Sequence, residues 1–350
     1  MAIPDVLREL LLAVGPSGHE QAPARVWRRA AGAFAEVRGD SLGTSYARVR
    51  AGEGAPTLAV IGHIDEVGFQ ITSIGEDGLL AFSTLGGLAA ELLAGQRVLI
   101  ASSDGVVAGV VGRREPGEQR RGERPRLEHS DLHLDIGAST RAEAAARVSP
   151  GDAGVWRGDP LELGQRRLAS RALDNRLGAY VALEAARRVA AAGDARLDLV
   201  AVASVQEELG HHGARTAAYT LDPMVALAID VTWATDVPGS SPRRAGSVEL
   251  GSGAAITRGP VVNPRVAELL VEAAAAEGIP YSVEVYSGAT HTDADAVHVA
   301  RGGVPTGLVS IPLRYMHSPS ELACLDDLEA VIALVVAFAR RLSPETSFLR

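Results

Sequence analysis

The stretch TLAVIGHIDEVGF at 57–69 decides the fold, because it runs almost wholly apolar as far as Ile61 and then delivers His63, Asp65 and Glu66 within four positions. A short, nearly continuous apolar run reads as a strand buried on both faces, the kind found inside a parallel sheet. Three more such runs follow: LDLVAVASVQ at 197–206, MVALAIDV at 224–231 and PTGLVSIP at 305–312. Helix-length segments alternate with them. NPRVAELLVEAAAAEG at 263–278 offers Asn263 as cap, Pro264 at the first helical position and Gly278 as stop. DDLEAVIALVVAFARRL at 326–342 opens on a capping-box pair, Asp326 and Glu329, and is apolar almost all round, which predicts a buried helix. Strands alternating with helices of this length predict an α/β fold.

Between 69 and 165 the pattern changes to Gly-punctuated β segments, among them GFQITSIGEDGLLAFSTLG at 68–86, QRVLIASSDGVVAGVVG at 96–112 and DLHLDIGAST at 131–140. A helical period shows only near 141–147. Strands so spaced suggest a small barrel or sandwich. The expected organisation is an α/β domain made of 1–68 and 166–350, with a β-rich domain, 69–165, inserted into it. A chain of 350 residues is long enough for that division.

Composition excludes several functions. All 34 basic residues are arginine, so no lysine is available for a Schiff base, a P-loop or a kinase site. A net charge of -9 argues against nucleic acid as a partner. The one basic run, GRREPGEQRRGERPR at 112–126, is laced with glutamate, glycine and proline and reads as a solvated loop. Cys324 stands alone, which rules out an internal disulfide and a Cys-rich zinc knuckle and leaves it as a small buried hydrophobe. No apolar run approaches the roughly 18 residues of a membrane span. The opening residues, MAIPDVLRELLLAVG, set Asp5, Arg8 and Glu9 among leucines, an amphipathic helix and not a secretory signal, so the cytoplasm is the expected location.

Ligands of open α/β sheets bind beyond the carboxyl ends of the strands, and here each apolar run leads into metal-type side chains. His63 and Asp65 follow the first, Glu207 and Glu208 the second; Asp230 closes the third and His317 lies just past the fourth. Asp174 stands at the turn into a helix whose Leu177, Tyr180 and Val181 share a face. His63 and Asp65, two apart, suit a ligand whose second ring nitrogen is oriented by a carboxylate. Of the neighbours Glu207 and Glu208, one suits a metal and the other a general base acting on water. Two imidazoles and three carboxylates are enough for two divalent ions sharing one carboxylate, about 3.5–4 Å apart. Mixed nitrogen and oxygen donors suit zinc, cobalt or manganese. A metal-activated water attacking an amide is the chemistry favoured.

The motifs GHIDEVGF, SRALDNRLGAY, VQEELGHHGA, LAIDVTWATDVPG and IPLRYMHSPSE occur in this order and resemble those of the tetrahedral, or deblocking and glutamyl, metalloaminopeptidases. The resemblance spans nearly the whole chain. It implies a mixed β-sheet sandwiched by helices, as in zinc exopeptidases, and a PDZ-like insert used for dimerisation. It implies two metal ions bridged by Asp174, with Glu208 and His317 on one and His63 and Asp230 on the other. Glu207 would be the general base and Asp65 the carboxylate behind His63. Peptides would be the substrates, and the chain would form homo-oligomers, dimers or a tetrahedral dodecamer. Departures from the family pattern are His211 and His212, where relatives commonly carry leucine and arginine, and His291 in SGATHTDADA, where glycine is more usual. The competing expectation is a dinuclear deacylase or carboxypeptidase, with Arg314 receiving a substrate carboxylate. A paired-acid endoglucanase fits less well, since aromatic content of 4% is poor material for sugar stacking.

Overall fold

The structure, a computed structural model, describes residues 3–114, 127–164, 166–240 and 246–349. Most of the basic run at 112–126 lies outside the described residues.

The apolar runs form the centre of an eleven-stranded sheet. Its path runs Glu36–Gly39, Ser45–Val49, Asp198–Ser204, Thr57–His63, Val225–Trp233, Thr306–Arg314, Glu321–Cys324, Arg167–Ser170, Leu161–Leu163, with Ala254–Arg258 and Tyr281–Val285 branching from Thr306–Arg314. The four strands from Asp198–Ser204 to Thr306–Arg314 are mutually parallel, so their carboxyl ends share one edge. Strands flanking them run antiparallel, which makes the sheet mixed.

Both faces are covered. Leu58 and Val60 pack with the helices Leu173–Ala192 and Leu325–Arg341, whereas the alternate residues Ala59 and Ile61 pack with His212–Leu221 and Asp293–Val297 on the opposite side. This two-sided burial is why the strands read as unbroken apolar runs. The helix Leu173–Ala192 lies close against the central strand. A Cβ on Gly62 would stand 2.3 Å from the Gly178 carbonyl carbon, so the strand admits nothing larger there.

Helix ends agree with the sequence at one site and not at another. Asn263 Oδ1 accepts from the backbone N–H groups of Arg265 and Val266, and Gly278 ends that helix in the left-handed region. The capping box expected of Asp326 and Glu329 does not form: the helix begins at Leu325 without a side-chain cap. Asp326 pairs with Arg166 and Glu329 with Arg188, and these ion pairs outcompete the local bonds. Asp230 likewise does not close its strand, which continues to Trp233.

A second body of structure lies between the strands Thr57–His63 and Arg167–Ser170. Six strands close into a barrel in the order Gly68–Ile74, Leu80–Leu85, Leu132–Asp135, Gly105–Arg113, Arg97–Ser102, Ala153–Trp156. It has its own apolar interior, centred on Phe69, whose ring meets Phe82 and Trp156 edge-on at 5.6 and 5.5 Å. The strand Leu161–Leu163, inside the range 69–165, pairs in the large sheet instead. The N-terminal helix Asp5–Leu12 buries Leu7, Leu10 and Leu11, and Cys324 is buried and unpaired. Among the described residues no helix is long and apolar enough to cross a membrane.

Candidate metal centre

The carboxyl edge of the parallel strands gathers two imidazoles and four carboxylates. His63 ends its strand, Glu207 and Glu208 lie in the turn after Asp198–Ser204, and His317 follows Thr306–Arg314. Asp174 sits between the two histidines: its Oδ1 is 3.1 Å from His63 Nε2 and its Oδ2 is 3.3 Å from His317 Nε2. Glu208 Oε1 is 3.4 Å from His317 Nε2, and Asp230 Oδ1 is 3.9 Å from His63 Nε2. Glu207 Oε2 approaches His63 Nε2 at 3.8 Å. The trios His63–Asp174–Asp230 and Asp174–Glu208–His317 each present three donor atoms within 4.8 Å of one another, as does His63–Glu207–Glu208.

Local backbone makes this convergence possible. Asp174 and Asn175 break the helical conformation at the start of Leu173–Ala192, joined by a cis peptide bond. Asn175 fixes the break, donating to the Ile229 carbonyl and accepting from the Gly178 N–H, each at 2.8 Å. Ala172, Gln206, His211, His291, Tyr315 and His317 all adopt positive φ without being glycine. Such residues cost free energy and persist where surrounding contacts impose them.

Around the cluster, Asp65 is fully buried. It lies 3.4 Å from His63 Nδ1 and accepts from Ser17 Oγ at 2.7 Å and from the backbone N–H groups of Glu207 and Glu208. It therefore ties the turn carrying both glutamates to the strand carrying His63. Glu321 does the same on the other side, accepting from the backbone N–H groups of Asp174 and His317 at 3.0 Å each. Glu66 faces away from the cluster and forms buried ion pairs with Arg171 and Arg176, which bracket Asp174.

Electrostatics describe a site short of positive charge. Burial pushes the Glu207 carboxyl up to about 9 and raises Asp230 and Glu321 well above the carboxylate range. Burial opposes the charge on His317, yet hydrogen bonds to Asp174 and Glu208 push the imidazole up to about 11. His63 Nδ1 is buried and faces the Asp65 carboxylate, which leaves Nε2 as the nitrogen turned to the cluster. No arginine lines the cleft among the described residues. Two imidazole nitrogens, set against opposite oxygens of one carboxylate with three further carboxylates around them, suit divalent cations in chemistry and in count.

The cleft over the cluster has a volume of about 550 Å³. His211 reaches into it and its Nε2 lies 3.1 Å from Glu207 Oε1, whereas His212 turns to Gln206. His291 and Thr292 line the rim. Arg314 does not line the cleft and is held in a forked pair with Asp236. Sequence reasoning did not assign Ser17, Glu321 or Asn175. Glu321 stood within the quoted IPLRYMHSPSE motif, and nothing in the local pattern around Ser17 marks it.

A mixed sheet between helices, with imidazoles and carboxylates converging on its carboxyl edge, defines a metal-dependent hydrolase. A family model described as M42 glutamyl aminopeptidase matches residues 43–334. Lysyl aminopeptidase of Pyrococcus furiosus is 35% identical over 314 residues, 88% of this chain and 88% of the relative. The solved TET aminopeptidase of a marine-sediment Thaumarchaeota archaeon superposes with a TM-score of 0.92 at 34% identity, covering 97% of this chain and 96% of that one. A TET1 peptidase of Pyrococcus horikoshii, described as assembling into a tetrahedron or a large octahedral shell, gives 0.86 at 29% identity, covering 97% and 99%. The chain belongs to the M42 glutamyl aminopeptidase family. It is a metal-dependent aminopeptidase with the PDZ-like insert of the TET enzymes.

Proposed function

We propose that this aminopeptidase works with two divalent ions per chain, zinc, cobalt or manganese. In this reading His63 and Asp230 would hold one ion, Glu208 and His317 the other, and Asp174 would be shared between them. The single observation that supports it is Asp174, each of whose oxygens faces a different histidine, at 3.1 and 3.3 Å. When bound, such ions supply Lewis acidity to the scissile carbonyl and acidify a water. Glu207 is the general base: it takes the proton of the attacking water at Oε2 and delivers it to the departing amine nitrogen. A base must be ionised, and burial, with repulsion from Asp293, Glu208 and Asp65, holds Glu207 up at about 9. The role therefore depends on cationic charge in the cluster. Asp65 acts through His63 Nδ1, fixing the ring so that Nε2 points inward.

The rival deacylase or carboxypeptidase reading loses its cation, because the Arg314 guanidinium is already paired with Asp236. The paired-acid endoglucanase reading leaves both imidazoles without a role. We further propose that the PDZ-like insert is a dimerisation domain, that dimers assemble as the TET relatives do, and that the enzyme acts in the cytoplasm on peptides. Metal analysis combined with peptide hydrolysis tests the reading. Two ions per chain, and cleavage of a free peptide but not of its N-acetylated form, are expected. Cleavage of both forms, or loss on C-terminal amidation, contradicts it.

A further inference from the structure

We infer that the cleft selects peptides whose N-terminal side chain is bulky and uncharged, apolar or aromatic, in contrast to a glutamyl or lysyl preference. The inference rests on the proposed reading of the cleft as the aminopeptidase site.

Beyond the cluster, the wall of the cleft is formed by Thr232, Trp233, Tyr286 and Met316. Trp233 is 59% exposed and presents its indole to the cleft as apolar area that a bound side chain can cover. Among the described lining residues every carboxylate belongs to the metal cluster and no guanidinium is present. One further acid lies close behind the wall. Glu284 is only 1% exposed, and its oxygens accept from Thr232 Oγ1 at 2.7 Å, Thr257 Oγ1 at 2.6 Å and Ser310 Oγ at 3.0 Å. The Thr232 hydroxyl is thus spent on Glu284 behind the wall, and the surface turned to the cleft is mainly apolar.

The remaining charges are similarly committed. Arg314 is two residues from Met316, yet both forks of its guanidinium go to Asp236. His211 is bonded to Glu207, and His291 is exposed at the rim, where water competes for it. A glutamate side chain entering this space would lose hydration without gaining a cationic partner, and a lysine would find outside the metal cluster only the aromatic faces in exchange for its hydration. A leucine, methionine or phenylalanine side chain gains burial against indole, phenol ring and thioether. The difference amounts to at least about tenfold in kcat/KM.

The test is a series of aminoacyl p-nitroanilides, with leucine, methionine, phenylalanine, lysine and glutamate, on the metal-loaded full-length enzyme. The three neutral substrates are expected to exceed the two charged ones by about tenfold or more in kcat/KM. Lysine or glutamate equalling or exceeding them overturns the selectivity while leaving the aminopeptidase intact. No hydrolysis of any of the five overturns both. Trp233→Ala, a change at an exposed position, is expected to reduce the phenylalanine and leucine values severalfold through KM. An unchanged phenylalanine preference in that variant removes Trp233 from the wall of the side-chain site.

Discussion

Asp174 and Glu207 are expected to fail differently when altered. Asp174→Ala removes a carboxylate that touches both histidines and is expected to lose bound metal as well as activity, which elemental analysis reads directly. Glu207→Gln keeps the shape of the side chain and the five other donors. It is expected to retain metal and to lose about 10²–10⁴ in kcat. Metal loss in the glutamine variant would show Glu207 to be a ligand. The same residues set a pH dependence of stability in the metal-free protein. Glu207, held up at about 9, and Asp230 and Glu321, raised well above the carboxylate range, keep protons that the unfolded chain releases between about 3.8 and 4.5, and His317, at about 11, keeps one released near 6.5. The folded state therefore binds more protons through this window, and stability falls as pH rises from about 6 to 9. Thermal unfolding of the chelated protein is expected to give a lower Tm at pH 8.5 than at pH 6. Divalent metal opposes that slope, because its affinity grows as ligands deprotonate. A flat profile in the chelated protein contradicts the charge balance described here.

Among the elements, the contact of helix Leu173–Ala192 with strand Thr57–His63 determines how near Asp174 comes to His63. Gly62→Ala puts a methyl group into the Gly178 backbone and is expected to cost about 1–3 kcal/mol, with weakened metal binding. Denaturant unfolding and metal titration of the variant measure the two effects, and wild-type values in both would mean that the helix can move away freely. At this scale much was legible in the sequence. Strands buried on both faces announce themselves by composition, and the residues that follow them fall at a common edge because parallel strands end together. What was not legible depends on distance along the chain. Ser17 reaches Asp65 across 48 positions, and Glu321 binds backbone groups of Asp174 across 147, so no local spacing encodes either bond. The capping box at Asp326 failed for a similar reason, since Arg166 and Arg188 arrive from remote segments. Asp230 was misplaced by a subtler effect. A buried strand can carry an acid in its interior when the acid faces other metal-type groups, and apolarity alone does not mark where such a strand ends.

The whole molecule combines a sheet whose two faces are both covered with a barrel that has its own interior. If the TET-like assembly holds, light scattering on the purified protein gives an even multiple of the 36.4 kDa chain mass, and a monomer at micromolar concentration contradicts it. The barrel departs five residues after His63 and its last strand precedes Asp174 by 18, so the candidate ligands straddle it. Its first and last strands, Gly68–Ile74 and Ala153–Trp156, are hydrogen-bonded neighbours, with Phe69 opposite Gly154. The chain thus leaves and re-enters at nearly the same point. A short linker could span that gap, yet Gly86 and Gly87 of the excursion lie against Glu208 and His317, so the barrel also roofs the cleft. Its excision is therefore expected to disturb the chemistry of the single chain, because the same hinge that lets the barrel leave the sheet holds a wall of the site in place.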